Sequence, residues 1–149
     1  MAAVTFSHRH LVILALSAAV ACGGQRPAAA PAPSAPSETV EQFLAAANAS
    51  DLDRMGALWG DEHGPNRSGS QNVRTQRLTI MQHLLHGESH EVVATDVTNP
   101  ARPRLSVAIT QGTRRFTVPF TLVQSRYGGW LVNEIGIDQA MPTAGSQPR

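Results

Sequence analysis

Apolar positions in the middle of the chain recur first with a helical period and later with a strand period. In SETVEQFLAAANA (residues 37–49), Val40, Phe43, Leu44 and Ala47 fall at i, i+3, i+4 and i+7, one face of a helix. Ser50-Asp51-Leu52-Asp53 reads as an N-cap with an acidic residue at N3, opening a second short helix. Its buried residues are expected to be Leu52, Met55 and Leu58, with Trp59 beside them and Gly60 as the stop. Residues 60–70, GDEHGPNRSGS, read as a loop from their Gly, Pro, Asn and Ser content. A third helix is predicted from about Gln71 to His86. Its apolar arc holds Val73, Leu78, Ile80, Met81, Leu84 and Leu85, and Gly87 is placed as a left-handed cap.

From His90 the period drops to two. EVVATDVT, RLSVAITQ, RRFTVPFTLVQS and GWLVNEIGI read as four strands joined by Asn99–Pro103, Gln111-Gly112-Thr113 and Tyr127-Gly128-Gly129. Links this short make neighbouring strands antiparallel. Pro119 removes one ladder donor, so its strand bulges there or lies partly at an edge. Helices first and a meander afterwards give an α+β fold, N-terminal helices packed on a curved antiparallel sheet of about four strands.

The N-terminus follows neither period. Arg9 lies between His8 and His10, and LVILALSAAV (residues 11–20) is uninterrupted apolar. Ten residues of helix rise only about 15 Å, half a bilayer's hydrocarbon core, too short for an ordinary span. A cationic start, a short apolar run and small residues at the end describe a signal peptide over residues 1–21. Cys22 is the chain's one cysteine, which excludes an internal disulfide and a multi-cysteine metal site. After it, residues 23–37 carry Pro27, Pro31, Pro33 and Pro36 among Ala, Gly and Ser, a composition that favours extended polyproline II over a core. The expected organisation is a signal peptide (1–21), a Pro/Ala-rich tether from Cys22 (22–36), one domain (37–138) and a disordered tail (139–149).

Charge narrows the function classes. The formal net charge is +1 at pH 7, and loss of Arg9 with the first 21 residues leaves a near-neutral chain. Nucleic-acid binding would require a basic stripe to neutralise phosphates, so it is excluded as an expectation.

Two resemblances extend this reading. Ala19-Val20-Ala21-Cys22 is a plain A-x-A cleavage site with a cysteine behind it, but it also resembles the bacterial lipobox. A bare N-terminal thiol is a liability in an oxidising compartment, so the lipobox reading is preferred. It implies cleavage between Ala21 and Cys22, lipidation of Cys22, and a cell-envelope, periplasm-facing address. Gly23 rather than Asp after the cysteine points, by resemblance to Gram-negative sorting, to the outer membrane. VEQFLAAANASDLDRMGALWG and YGGWLVNEIGI resemble the opening and closing segments of the nuclear transport factor 2-like superfamily, including its bacterial lipoproteins. That resemblance implies a cone-shaped domain hosting either a binding module or a dehydratase or isomerase of the SnoaL-like type. It also implies homodimerisation as an option, through surface-facing Phe116, Phe120 or Trp130. Many relatives carry an early strand pair between the second and third helices; none is evident here.

No residue is assigned as catalytic. An isomerase would need an inward Asp or His base, and Asp96 and Glu134 are the candidates it would have to use, with His90, Asn133 and Asp138 nearby. Glu134 follows the parity of Trp130 and Val132. No metal is assigned either: His83 and His86 stand at i, i+3 in the helix's polar arc with Thr79 and Gln82, but HLLHGESHE is not HExxH. A solvated helix end accounts for them, and no cofactor is expected. Arg102, Arg104, Arg114 and Arg115 are expected at neighbouring strand ends, where they would guard sheet edges or attract an anion. The function expected is a membrane-anchored envelope lipoprotein whose domain binds a small hydrophobic ligand or an envelope protein without catalysis. The alternative is a pocket enzyme.

Overall fold

A computed structural model describes residues 33–139. The signal peptide, Cys22, most of the tether and the tail from residue 140 lie outside the described residues. Three helices come first: α1 (Pro36–Asn48), α2 (Leu52–Leu58) and, after a small hairpin, α3 (Gln71–Leu85). The hairpin is β1 (Gly60–Asp61) with β2 (Gly64–Pro65). Four strands follow, β3 (Ser89–Asp96), β4 (Arg104–Gln111), β5 (Arg114–Gln124) and β6 (Trp130–Ile135), then a 3-10 turn at Ile137–Gln139. They form an antiparallel meander in sequence order. The architecture is α+β.

The hydrophobic cluster draws Val40, Phe43, Leu44 and Ala47 from α1, Met55 and Leu58 from α2, and Leu78, Met81 and Leu85 from α3. The sheet answers with alternate residues: Leu105, Val107 and Ile109 of β4, Val118, Phe120 and Leu122 of β5, and Val132 of β6. At its centre the rings of Phe43 and Phe120 meet edge to face, centroids 6.4 Å apart. The cluster lies between Val40 and Val132, so the chain from residue 23 onward keeps the whole core.

Each helix end has a specific cause. Asp51, not Ser50, caps α2: its carboxylate accepts from the Arg54 N–H at 2.9 Å. Ser50 cannot take that role because it turns the chain out of α1 in the left-handed region, φ 55°. Ser70 Oγ accepts from the Val73 N–H and opens α3. At the other end, Gly87 is not a left-handed cap. It is glycine because the link from α3 to β3 passes close to β4: a Cβ there would stand 2.6 Å from Ile109 Cγ2 and 2.8 Å from the Thr110 carbonyl oxygen. Asn48 Oδ1 accepts from the Gly87 N–H at 2.9 Å, pinning the end of α3 to the end of α1.

The apolar arc of α3 is turned away from the predicted centre. Leu78, Met81 and Leu85 are buried as expected, but Gln82 is buried with them while Val73 and Ile80 are 40% and 50% exposed. Gln82 sets the rotation. Its Nε2 donates to the Ala47 carbonyl (3.2 Å) and to Ser50 Oγ (3.3 Å), completing the hydrogen bonding where α1 ends. At about 100° per residue, bringing Gln82 inward carries the stripe of Val73, Arg77, Ile80 and Leu84 toward the surface.

Both lateral edges of the sheet are managed. Along β6, the Trp130 N–H donates to the Pro33 carbonyl (2.9 Å) and the Trp130 carbonyl accepts from Thr39 Oγ1 (3.4 Å). Farther on, Trp59 bridges Val132 in parallel and Asn133 Nδ2 donates to the Gly60 carbonyl at 3.0 Å. Pro33 is buried, so this part of the expected tether packs with the domain. The β3 edge is guarded by a bulge between Val92 and Ala94 and by the charges of Glu91 and Asp96. Pro119 lies in β5 between two paired strands, but opposite the point where β6 ends. Its carbonyl accepts from the Gly136 N–H (2.9 Å), and its missing donor faces the same side, past Ile135.

Gly87→Ala is expected to lower stability by about 1–3 kcal/mol through overpacking, and Phe120→Ala by about 3–5 kcal/mol through loss of buried ring contacts. Urea unfolding of residues 23–149 followed by circular dichroism checks both, with the larger loss at Phe120.

Candidate functional site

Among the described residues the buried polar side chains are Thr39, Gln82 and Ser125, none of them ionisable. Each has a partner: Thr39 Oγ1 donates to the Ala35 carbonyl, Gln82 to Ala47, and Ser125 Oγ accepts from the Tyr127 N–H.

The two carboxylates that an isomerase would have to use lie at the surface. Asp96 and Glu134 are both exposed, on the outermost strands of the four-stranded sheet. The pairings Asp96–Arg104, Arg104–Thr121 and Thr121–Glu134 place them in one transverse row on one face. Three strand spacings, about 14 Å, separate them, too far for a shared proton. Glu134 therefore does not share the inward face of Trp130 and Val132. The β6 ladder skips Asn133, a bulge that shifts the parity by one. Asn133 itself is structural, donating to Gly60 and accepting from Arg102 Nη1 at 3.3 Å. His90 and Asp138 are exposed.

Asp96 has a local task. Its Oδ1 accepts from Thr98 Oγ1 (2.6 Å) and the Thr98 N–H (2.9 Å). The Thr98 hydroxyl and then its amide hold the carboxyl below its ordinary value of 3.8; desolvation opposes them, and Arg104 adds the weakest lowering effect.

His83 and His86 border a shallow cleft with Glu88, Gln111 and Gly112. Among the described residues no three His, Cys, Asp or Glu side chains come together closely enough to hold a metal ion. The arginines do not gather. Arg104 is paired with Thr121 at one end of the β4–β5 hairpin and Arg114 with Gln111 at the other. Arg115 bridges Glu91 at 3.0 Å and Arg114 lies over the Phe116 ring, both on the far end from Arg102. The aromatic residues proposed for a dimer face are inward: Phe120 is fully buried, and Phe116 and Trp130 pack against the core.

What remains is a groove that sequence reasoning did not find. Trp59, Arg77, Ile80, Met81 and Ile137 line a cleft of about 340 Å³ where α2, α3 and the turn after β6 converge. Three local decisions build it. Trp59 leaves α2 in an extended conformation to bridge Val132. Gly136 passes so near the Pro119 ring that a Cβ would stand 2.6 Å from Cγ, and this crossing brings Ile137 beside α3. The Gln82 anchor turns Ile80 and Arg77 to the rim while Met81 stays at the floor. The walls are almost wholly apolar, and Arg77 supplies the one charge among the lining residues. A second, wider cleft at the β1–β2 hairpin is mixed in character, lined among others by Asp61, His63, Pro65, Asn66, Arg67 and Tyr127. It is built from exposed loop residues with a loose His63–Asp61 pair at 3.5 Å.

Comparison with family models, with curated proteins and with solved structures returns no significant match.

The folded-state pKa of Asp96 lies below its unfolded value. Its contribution to stability is therefore present above the ordinary carboxylate value near 3.8 and fades as pH falls through the lower folded value. Carbon-detected NMR titration is expected to give an Asp96 midpoint below 3.8, and Thr98→Val should raise it.

Proposed function

We propose that this chain is a bacterial envelope lipoprotein, held at Cys22 and facing the periplasm from the outer membrane. Its domain, with the helix-and-meander layout of the nuclear transport factor 2-like cone, binds an apolar ligand or partner without catalysis. The observation that carries this reading is the groove of Trp59, Ile80, Met81 and Ile137. A domain that has packed its interior with Phe43, Met55, Leu58 and Phe120 nevertheless leaves Ile80 half exposed beside a half-buried tryptophan. Concave, mostly apolar clefts above about 300 Å³ are where small molecules bind. The rival reading, a dehydratase or isomerase, requires a base and a hydrogen-bond donor converging in an enclosed pocket. The buried polar groups Thr39, Gln82 and Ser125 are already spent on backbone contacts, so binding is the reading adopted.

The anchor rests on the sequence. Among the described residues no helix is long and apolar enough to cross a membrane. Lipid at Cys22 supplies attachment instead, each buried methylene contributing about 0.8 kcal/mol.

Two experiments test the reading. Growth with radioactive palmitate is expected to label the wild-type protein and not Cys22→Ser; an unlabelled wild type removes the anchor. Residues 23–149 are expected to enhance the fluorescence of N-phenyl-1-naphthylamine, a neutral apolar probe. Ile80→Glu should weaken that binding at least fivefold at unchanged thermal midpoint; unchanged binding removes the groove.

A further inference from the structure

We propose that the groove takes a long-chain carboxylate, a fatty acid, with its chain on Trp59, Ile80, Met81 and Ile137 and its head group on Arg77. This rests on the groove reading above and adds the ligand's charge and shape. Arg77 sits at the rim, exposed, and makes no hydrogen bond or ion pair among the described residues. Its neighbours do not neutralise it. The sequence of α3, QNVRTQRLTIMQHLL, contains two arginines and a histidine but no carboxylate. Asp138, next in the chain to Ile137, is exposed and forms no ion pair with Arg77. An apolar trough ending in an uncompensated guanidinium complements a molecule with one apolar end and one anionic end. A carboxylate suits it because two oxygens can meet the guanidinium fork together.

Other occupants fit less well. A membrane surface rich in anionic lipid is read by clusters of about four to eight basic residues, whereas Arg74, the other arginine of α3, is turned back onto the Arg67 and Gly69 carbonyls at 3.1 and 2.7 Å. A stable protein partner buries about 800 Å² on each side, far more than five lining residues present. A cationic or neutral amphiphile would use the apolar wall and leave Arg77 unanswered.

The test uses residues 23–149 loaded with N-phenyl-1-naphthylamine and three twelve-carbon competitors below their micelle concentrations: dodecanoate, dodecanol and dodecyltrimethylammonium. Dodecanoate is expected to displace the probe at a concentration at least tenfold lower than the ammonium compound. Arg77→Gln should bring those two within about twofold while leaving dodecanol and the thermal midpoint unchanged, and Arg77→Lys should keep part of the preference. Equal displacement by all three in the wild type, or a preference that survives Arg77→Gln, overturns the carboxylate assignment and leaves the groove standing. Sedimentation with phosphatidylglycerol vesicles without displacement by dodecanoate also overturns it, in favour of a membrane surface. If the probe itself does not bind, or Ile80→Glu does not weaken it, the groove reading fails together with this one.

Discussion

The edge-to-face contact between Phe43 and Phe120 is the constraint around which the domain is arranged. It joins the middle of the first helix to the middle of a central strand, and both rings are fully buried. With that distance fixed, the shorter apolar residues of α2, α3 and β4 can close around the pair only if the helices share one side of the sheet. Close packing then leaves little freedom. The link from α3 to β3 must pass near enough to β4 that position 87 tolerates no side chain, and the rotation of α3 follows the bonds that Gln82 makes at the end of α1. The groove is a remainder of this arrangement, created where the helical layer runs out before the sheet does.

The strands are readable from the sequence because runs rich in β-branched and aromatic residues are punctuated by links rich in Gly, Pro and Asn, although bulges break the alternation in β3 and β6. β4 matches the RLSVAITQ reading, and β5 and β6 differ from theirs by a residue or two at the ends. The β1–β2 hairpin was invisible for the opposite reason: two-residue strands have no period, and Gly60-Asp61 with Gly64-Pro65 looks like any polar loop. Gly87 was correctly noticed and wrongly explained, because a close approach to Ile109 depends on tertiary packing that local pattern does not encode. Gln82 shows the limit most clearly. A polar residue next to an apolar arc is assigned to solvent by default, and its partners here, the Ala47 carbonyl and Ser50 Oγ more than thirty residues earlier, are set by tertiary packing.

The candidate site was harder still. Trp59, Arg77, Ile80, Met81 and Ile137 come from three segments with no motif linking them. One signal was present: the predicted arc of α3 holds six apolar residues, more than a single neighbouring surface can cover, in a helix lacking acids. Asp96 and Glu134, the carboxylates that an isomerase would have to use, stand on opposite edges of the sheet, where Asp96 shapes a turn through Thr98. In a domain this small, with its interior filled by apolar side chains, a recess such as the groove forms at the surface, at the ends of elements. Such a site asks only for area and one charge, which the sequence scatters without grouping.

The bond between the Pro33 carbonyl and the Trp130 N–H has a mechanical meaning. A load applied through the N-terminal extension does not reach the helix directly. It is received at the first residue of β6, whose carbonyl is held in turn by Thr39. The entry point of the chain is thus clamped between an edge strand and the first turn of α1, so tension is shared between sheet and helix rather than peeling α1 from its first residue. Once that bond parts, the pull falls on the first turn of α1, where the Thr39 bond to the Trp130 carbonyl and the burial of Val40 resist before the contact at Phe43 does. The domain would therefore yield in two stages along this direction, a shallow one that frees the extension by a few residues and a steep one that opens the core.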